Sequence, residues 1–227
     1  MITVEICTPS RASAVAAKEG GAQRVELCRS LEVGGLTPSE DDIEYCVRTL
    51  GLRTHVLVRP RAGDFCYNEA EVAEIERTIL RCKKLGAHAV VIGFLTRDGK
   101  VDTELTRRMV QLAAPMEVTF HRAFDEALQD PIEALQAVAD AGCHRLLTSG
   151  QKPTAFEGAS VIKSLVESAK VTKLAGSGIT PDNVRQLIAA TGVTEVHGSC
   201  KTTLPDGTLQ TDAAQVRRLL SVAAPTV

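Results

Sequence analysis

Gly86-Ala87-His88-Ala89-Val90-Val91-Ile92-Gly93-Phe94 sets the reading of the whole chain. A glycine closes an amphipathic segment, and a run of β-branched side chains follows almost at once. A helix that stops just before a buried strand needs a left-handed residue at its end, which glycine supplies without steric cost. The same junction recurs at Gly21-Ala22, Gly142-Cys143 and Gly192-Val193, at intervals of 65, 56 and 50 residues. That spacing suits βαβα quarters stacked around an axis.

On either side, short strand-like runs alternate with helix-length segments along the chain. The strands are expected at Ile2–Cys7, Arg24–Cys28, Thr54–Val58, Ala89–Phe94, Glu117–His121, Arg145–Thr148, Val171–Ala175 and Thr194–His197. Eight βα units in 227 residues predict a (β/α)8 TIM barrel, one domain over residues 1–227, slightly short of the ~250 residues typical of that fold. A doubly wound open sheet shares the same punctuation, so the repeat favours the barrel without excluding that rival. No Pro/Gly/Ser-rich linker divides the chain. Thr37-Pro38-Ser39-Glu40, Asp130-Pro131-Ile132-Glu133, Thr8-Pro9 and Thr180-Pro181 read as helix starts with a cap followed by proline.

Composition narrows the function. With 26 basic and 28 acidic residues, no Trp, two Tyr and five Phe, the chain lacks both the basic excess and the stacking rings of a nucleic-acid binder. No apolar run reaches the ~18 residues of a membrane span. The opening Met1-Ile2-Thr3-Val4-Glu5 reads as a strand, not a signal peptide. Seven cysteines without a CxxC pair fit reduced thiols in the cytoplasm.

A barrel of this kind carries its chemistry at the C-terminal strand ends. Glu5-Ile6-Cys7, Glu26-Leu27-Cys28, Arg59-Pro60-Arg61, His121-Arg122-Ala123-Phe124-Asp125 and Thr148-Ser149-Gly150 therefore converge on one rim, while the opposite rim receives Gly, Ala and Gln. Alternation directs Glu5 with Cys7, Glu26 with Cys28, Arg59 with Arg61 and Thr119 with His121. Carboxylates aimed inward need partners, and Arg59 and Arg61 are the ones at hand, with His121 and Arg122 nearby. Two readings follow: a structural ion-pair network, or a site in which His121 acts as general acid or base while arginines hold an anionic substrate. Gly176-Ser177-Gly178 and Gly198-Ser199 are placed as an anion cradle after strands seven and eight, or merely as strand-to-helix turns.

The thiols separate by position. Cys46 and Cys82 continue apolar helical stripes and read as core; Cys66 and Cys200 fall in loops, and Cys143 opens a strand. Only Cys7 and Cys28 end adjacent strands. At a strand spacing of about 4.8 Å they are placed to bridge a soft monovalent ion, or simply to pack as buried thiols.

Arg24-Val25-Glu26-Leu27-Cys28, Gly34-Gly35-Leu36-Thr37-Pro38-Ser39, Val58-Arg59-Pro60-Arg61-Ala62-Gly63-Asp64-Phe65, Thr119-Phe120-His121-Arg122-Ala123-Phe124-Asp125 and Leu147-Thr148-Ser149-Gly150 closely resemble the CutC copper-homeostasis family. The resemblance runs in order along nearly the whole chain. It implies a cytoplasmic (β/α)8 barrel associated with copper tolerance and Cu(I) binding, with no firmly assigned reaction. It places the copper thiols on Cys7 and Cys28, and the pocket pattern on Glu26, Arg59, Arg61, His121, Arg122 and Asp125. Ala62 stands where the family commonly has a second glycine, and the Cys200–Thr211 segment is short. The alternative reading is a TIM-barrel enzyme acting on a phosphorylated or anionic small molecule, and a homodimer is the default assembly.

Overall fold

The computed structural model describes residues 2–168 and 171–224; Met1, at the start of the expected first strand, lies outside them. Eight parallel strands run β1 (Thr3–Thr8), β2 (Arg24–Leu27), β3 (Arg53–Leu57), β4 (Ala89–Ile92), β5 (Glu117–Phe120), β6 (Arg145–Thr148), β7 (Thr172–Gly176) and β8 (Glu195–Gly198). Each pairs with the next, and β8 returns to β1 with Glu5 opposite His197, so the sheet closes. The open-sheet alternative is thereby excluded. Around the barrel lie α1 (Arg11–Glu19), α2 (Glu40–Glu44), α3 (Glu69–Leu85), α4 (Thr103–Ala113), α5 (Pro131–Asp140), α6 (Ala159–Ser168), α7 (Val184–Thr191) and α8 (Ala213–Ala223). The segment after β8 forms a small antiparallel hairpin, β9 (Lys201–Thr203) with β10 (Leu209–Thr211). No described helix is long and apolar enough to cross a membrane.

The four junction glycines all adopt positive φ, as the helix-to-strand turn demands. Two of the junctions carry a second shared device. His88 and His144, each two residues past the glycine, accept the backbone amides of Thr54 and Val118 on Nδ1, at 3.2 and 3.1 Å. Asp130 caps α5 with Pro131 as its first residue, as expected. The other proline-marked starts are displaced: α1, α2 and α7 begin after Ser10, Ser39 and Asn183 instead of Thr8, Thr37 and Thr180. Two of these threonines have hydroxyls engaged elsewhere. Thr37 Oγ1 both donates to the Arg59 carbonyl and accepts its amide, and Thr8 Oγ1 donates to the Glu26 carbonyl. They clamp strand ends together, so the helix starts later.

Strand alternation divides the core in two. Val4, Ile6, Val56, Val90, Ile92 and Phe120 face outward into the helix layer, each fully or almost fully buried. Burying such a side chain contributes roughly 1.5–3 kcal/mol, which is what holds the helices on the barrel. The inward residues are a different population, stacked in layers as the fold requires. Arg24, His55, Glu117, Arg145 and Glu195 fill the lower layer. Above them lies a smaller apolar patch of Cys7, Cys28, Leu57 and Val91, with Leu31 packed against it.

Candidate metal and ligand site

A cavity of about 830 Å³ opens above that patch, at the C-terminal strand ends. Its floor is made by Cys7 from β1, Glu26 from β2 and His197 from β8, with Arg59 and His121 on the wall. Cys7 Sγ lies 3.8 Å from Cys28 Sγ and 3.9 Å from Glu26 Oε1. The ligand atoms of Cys7, Glu26 and His197 all fall within 4.8 Å of one another. Three strands thus deliver a sulfur, an oxygen and a nitrogen to one point.

Glu5, one layer below, organises this floor. It is fully buried and contacts Arg24 Nε at 2.9 Å, His55 Nδ1 at 2.8 Å and His197 Nδ1 at 2.9 Å. The partners expected for it, Arg59 and Arg61, are not the ones it finds, because β3 ends at Leu57 and both arginines lie above the layer of Glu5. Burial works to raise the Glu5 carboxyl, but His55, His197 and Arg24 outweigh it and hold it well below the usual range. Burial works to lower His197, which is mostly enclosed, yet Glu26, Cys7 and Glu5 raise it well above an ordinary histidine. Burial, reinforced by Glu5, lifts Glu26 to about 7 against the pull of His197. Contact with Cys28 and burial push the Cys7 thiol well up.

His121 lies on the cavity wall with its ring fixed by the backbone. Its Nδ1 accepts the Ala123 amide at 3.1 Å, which leaves the ring proton on Nε2. Burial and the charge of Arg59 depress it to about 3, so near neutral pH it is an uncharged hydrogen-bond donor. The ring is seated closely: a Cβ at Gly93 would lie 2.4 Å from it, so glycine is needed there, and Phe65 packs 4.9 Å away. Its Nε2 is buried and unpartnered among the described residues, as are Arg59 Nε, Glu26 Oε2 and Thr119 Oγ1. Leaving such groups unmet costs about 1–3 kcal/mol each.

Arg59 and Arg61 part company. The Arg59 guanidinium donates to the carbonyls of Val33, Gly35 and Gly63 and lies over the Phe65 ring, tying two loops to the cavity wall. Arg61 turns away to Glu71 at 2.6 Å and Asp64 at 3.0 Å and does not line the cavity. Strand alternation fails here because the chain has already left β3 and passed Pro60. Arg122 and Asp125 stand on the rim as a 2.8 Å ion pair. Asp125 also accepts from the Thr148 and Ser149 hydroxyls and the Ser149 and Gln151 amides, so its lone pairs brace the loops after β5 and β6. Ser177, Gly178, Gly198 and Ser199 line the far side, whereas Gly176 packs beneath them against Leu147.

The sequence profile of the CutC family matches residues 2–202. The chain belongs to the CutC family. A CutC family protein of Chromobacterium violaceum is 46% identical over 200 residues, covering 87% of this chain and 81% of its own. The human copper homeostasis protein cutC homolog is 40% identical over 206 residues, covering 90% and 75%. The structure of CutC from Streptococcus agalactiae superposes with a TM-score of 0.83 at 32% identity, over 88% of this chain and 99% of that one. Phosphoribosyl anthranilate isomerase of Thermotoga maritima, at 16% identity and a TM-score of 0.66 over 98% of both chains, shares the fold alone. His197 and Arg24 escaped the sequence reading of this CutC site. The available signal was alternation on β8, which puts Glu195, His197 and Ser199 on one face; their proximity to Glu5 depends on barrel closure.

Proposed function

We propose that the protein binds Cu(I) as cargo through Cys7 and Cys28, in a reducing, cytoplasmic setting, as its part in copper homeostasis. The observation that carries this reading is the 3.8 Å separation of the two sulfurs, with Cys7 at the floor of an open cavity and Cys28 beside it in the apolar patch. Thiolates are the soft donors that Cu(I) prefers, and the residues present fit it: Leu31, Leu57 and Val91 surround the pair with apolar atoms. Because Cys7 resists ionisation, binding the metal displaces a proton from it.

A second reading concerns the space above the thiols, which exceeds what one ion fills. Arg59 Nε and His121 Nε2 are buried there without hydrogen-bond partners among the described residues, and Ser177, Gly178, Gly198 and Ser199 form the opposite wall. This arrangement supports the binding of a small anionic molecule between the two walls.

One calorimetric experiment tests both. Reduced wild type is expected to take up one tight equivalent of Cu(I) against a competing chelator, and the Cys7→Ser/Cys28→Ser variant to lose it. Equal stoichiometry and affinity in the two proteins would overturn the copper site. Inorganic phosphate is expected to bind wild type saturably and the Ser199→Asp variant more weakly. No uptake at millimolar phosphate removes the anion reading.

A further inference from the structure

The floor of the cavity holds a second donor set that shares only Cys7 with the thiol pair. We propose that Cys7, Glu26 and His197 form a three-ligand site for a divalent cation of zinc type, with its remaining position open to the cavity. The inference goes beyond the Cu(I) reading and does not depend on it.

Zn(II) is borderline-soft and accepts mixed sulfur, nitrogen and oxygen ligands, whereas Cu(I) favours sulfur. Sites of the catalytic kind supply three protein ligands and keep one position for water or substrate. Here the three ligand atoms come from three strands and lie within 4.8 Å of one another. Zinc–ligand bonds of 2.0–2.3 Å imply edges of about 3.5 Å in a tetrahedron. The 3.9 Å between Cys7 Sγ and Glu26 Oε1 is already close to that, so small side-chain rotations complete the set.

Two further observations point to a ligand at this spot. Glu26 Oε2 is buried with no hydrogen-bond partner among the described residues, an arrangement that a cation would satisfy. His197 is held as a metal-binding histidine is: Nδ1 meets Glu5 at 2.9 Å, which leaves Nε2 as the ring nitrogen free to bind. Carboxylate–histidine–metal relays fix ring and tautomer in this way. Glu5 is itself held by Arg24 and His55, so the outer shell is rigid before any metal arrives.

The open position faces the wall that carries the unpartnered atoms Arg59 Nε and His121 Nε2. A metal there and donors opposite would clamp the two ends of one small anion, such as a carboxylate or a phosphate ester.

Co(II), whose thiolate complexes absorb in the near ultraviolet, is the probe, with Zn(II) in competition. Metal-free reduced wild type is expected to bind one equivalent of Co(II) with a sulfur-to-metal band that Zn(II) bleaches. Cys28→Ser keeps the band while losing the tight Cu(I) equivalent. His197→Gln and Glu26→Gln lose the band, or weaken binding at least about 10-fold, while still taking up Cu(I), which also reports that they are folded. A band that survives both substitutions with unchanged affinity overturns the site. So does a band lost in Cys28→Ser, since the thiol pair would then be capturing both metals. Failure of the Cu(I) equivalent in wild type with the Co(II) pattern intact would reject the copper reading alone.

Discussion

The lower and upper layers of the barrel interior are built from the same residue types and end in opposite states. Below, Arg145 reaches Glu117 at 2.8 Å and Glu195 at 3.1 Å, Arg24 joins Glu195 to Glu5, and Arg53 closes on Glu117. Above, Glu26, Arg59, His121 and Thr119 each keep a buried polar atom that no described residue meets. A buried charge is tolerable only when paired. The lower layer pairs its charges internally and leaves His55 Nε2 unmet among the described residues; the upper layer leaves more such atoms, around the cavity floor and wall. His197 joins them, with one nitrogen on Glu5 and the rest of the ring on the cavity floor.

The comparison breaks most visibly at Arg145. Arg145→Ala leaves Glu195 with Arg24 alone and Glu117 with Arg53 alone, and a lost hydrogen bond to a charged group costs about 1.5–3 kcal/mol. Urea unfolding is expected to show a loss of that size, against a far smaller one for Thr119→Val, whose hydroxyl has no partner to lose. Similar costs for both would mean that the lower network is not the stabilising layer.

Acid sharpens the same contrast. Arg145 and Arg53 overcome the effect of burial and hold Glu117 at about 2, below its usual 4.5. A depressed carboxyl contributes stability that is complete above its unfolded value and is lost as pH falls through the folded one. Between pH 4.5 and 2 the wild type should lose about 1–2 kcal/mol more than Glu117→Gln, roughly half the fully shielded figure because the side chain is a third exposed. Parallel acid-unfolding curves would contradict this. Glu117 is not in the cavity, so the effect belongs to the lower layer.

Barrel and rim were legible for physical reasons that also mark where legibility ends. A glycine before each even-numbered strand and alternation within strands are local signals, and they placed Cys7, Cys28, Glu26 and His121 correctly inside the barrel. Partnership across the barrel is not local. Glu5 meets His197 only because β8 returns to β1, 192 residues away, so His197 carried no mark in the sequence beyond its phase on the strand. The caps at Thr8 and Thr37 misled because a hydroxyl can serve a neighbouring strand as well as its own helix. His121 lies on the cavity wall where strand phase puts it, while the amide of Ala123, two residues on, occupies its Nδ1.

The smallest effect separates two arginines that strand phase alone would treat alike. Arg59 is buried and donates to three loop carbonyls, so Arg59→Ala leaves those carbonyls without their donor and opens the cavity wall. Arg61 is a third exposed, and its ion pairs with Asp64 and Glu71 lie in solvent outside the cavity lining. Exposed pairs of this kind contribute up to about 1 kcal/mol. Arg61→Ala should therefore cost no more than about that in urea unfolding, and leave Cu(I) and phosphate binding unchanged in the calorimeter. Loss of phosphate binding in Arg61→Ala would show that the loop after β3 folds inward when a ligand is present, and would move Arg61 from the outer surface to the cavity wall.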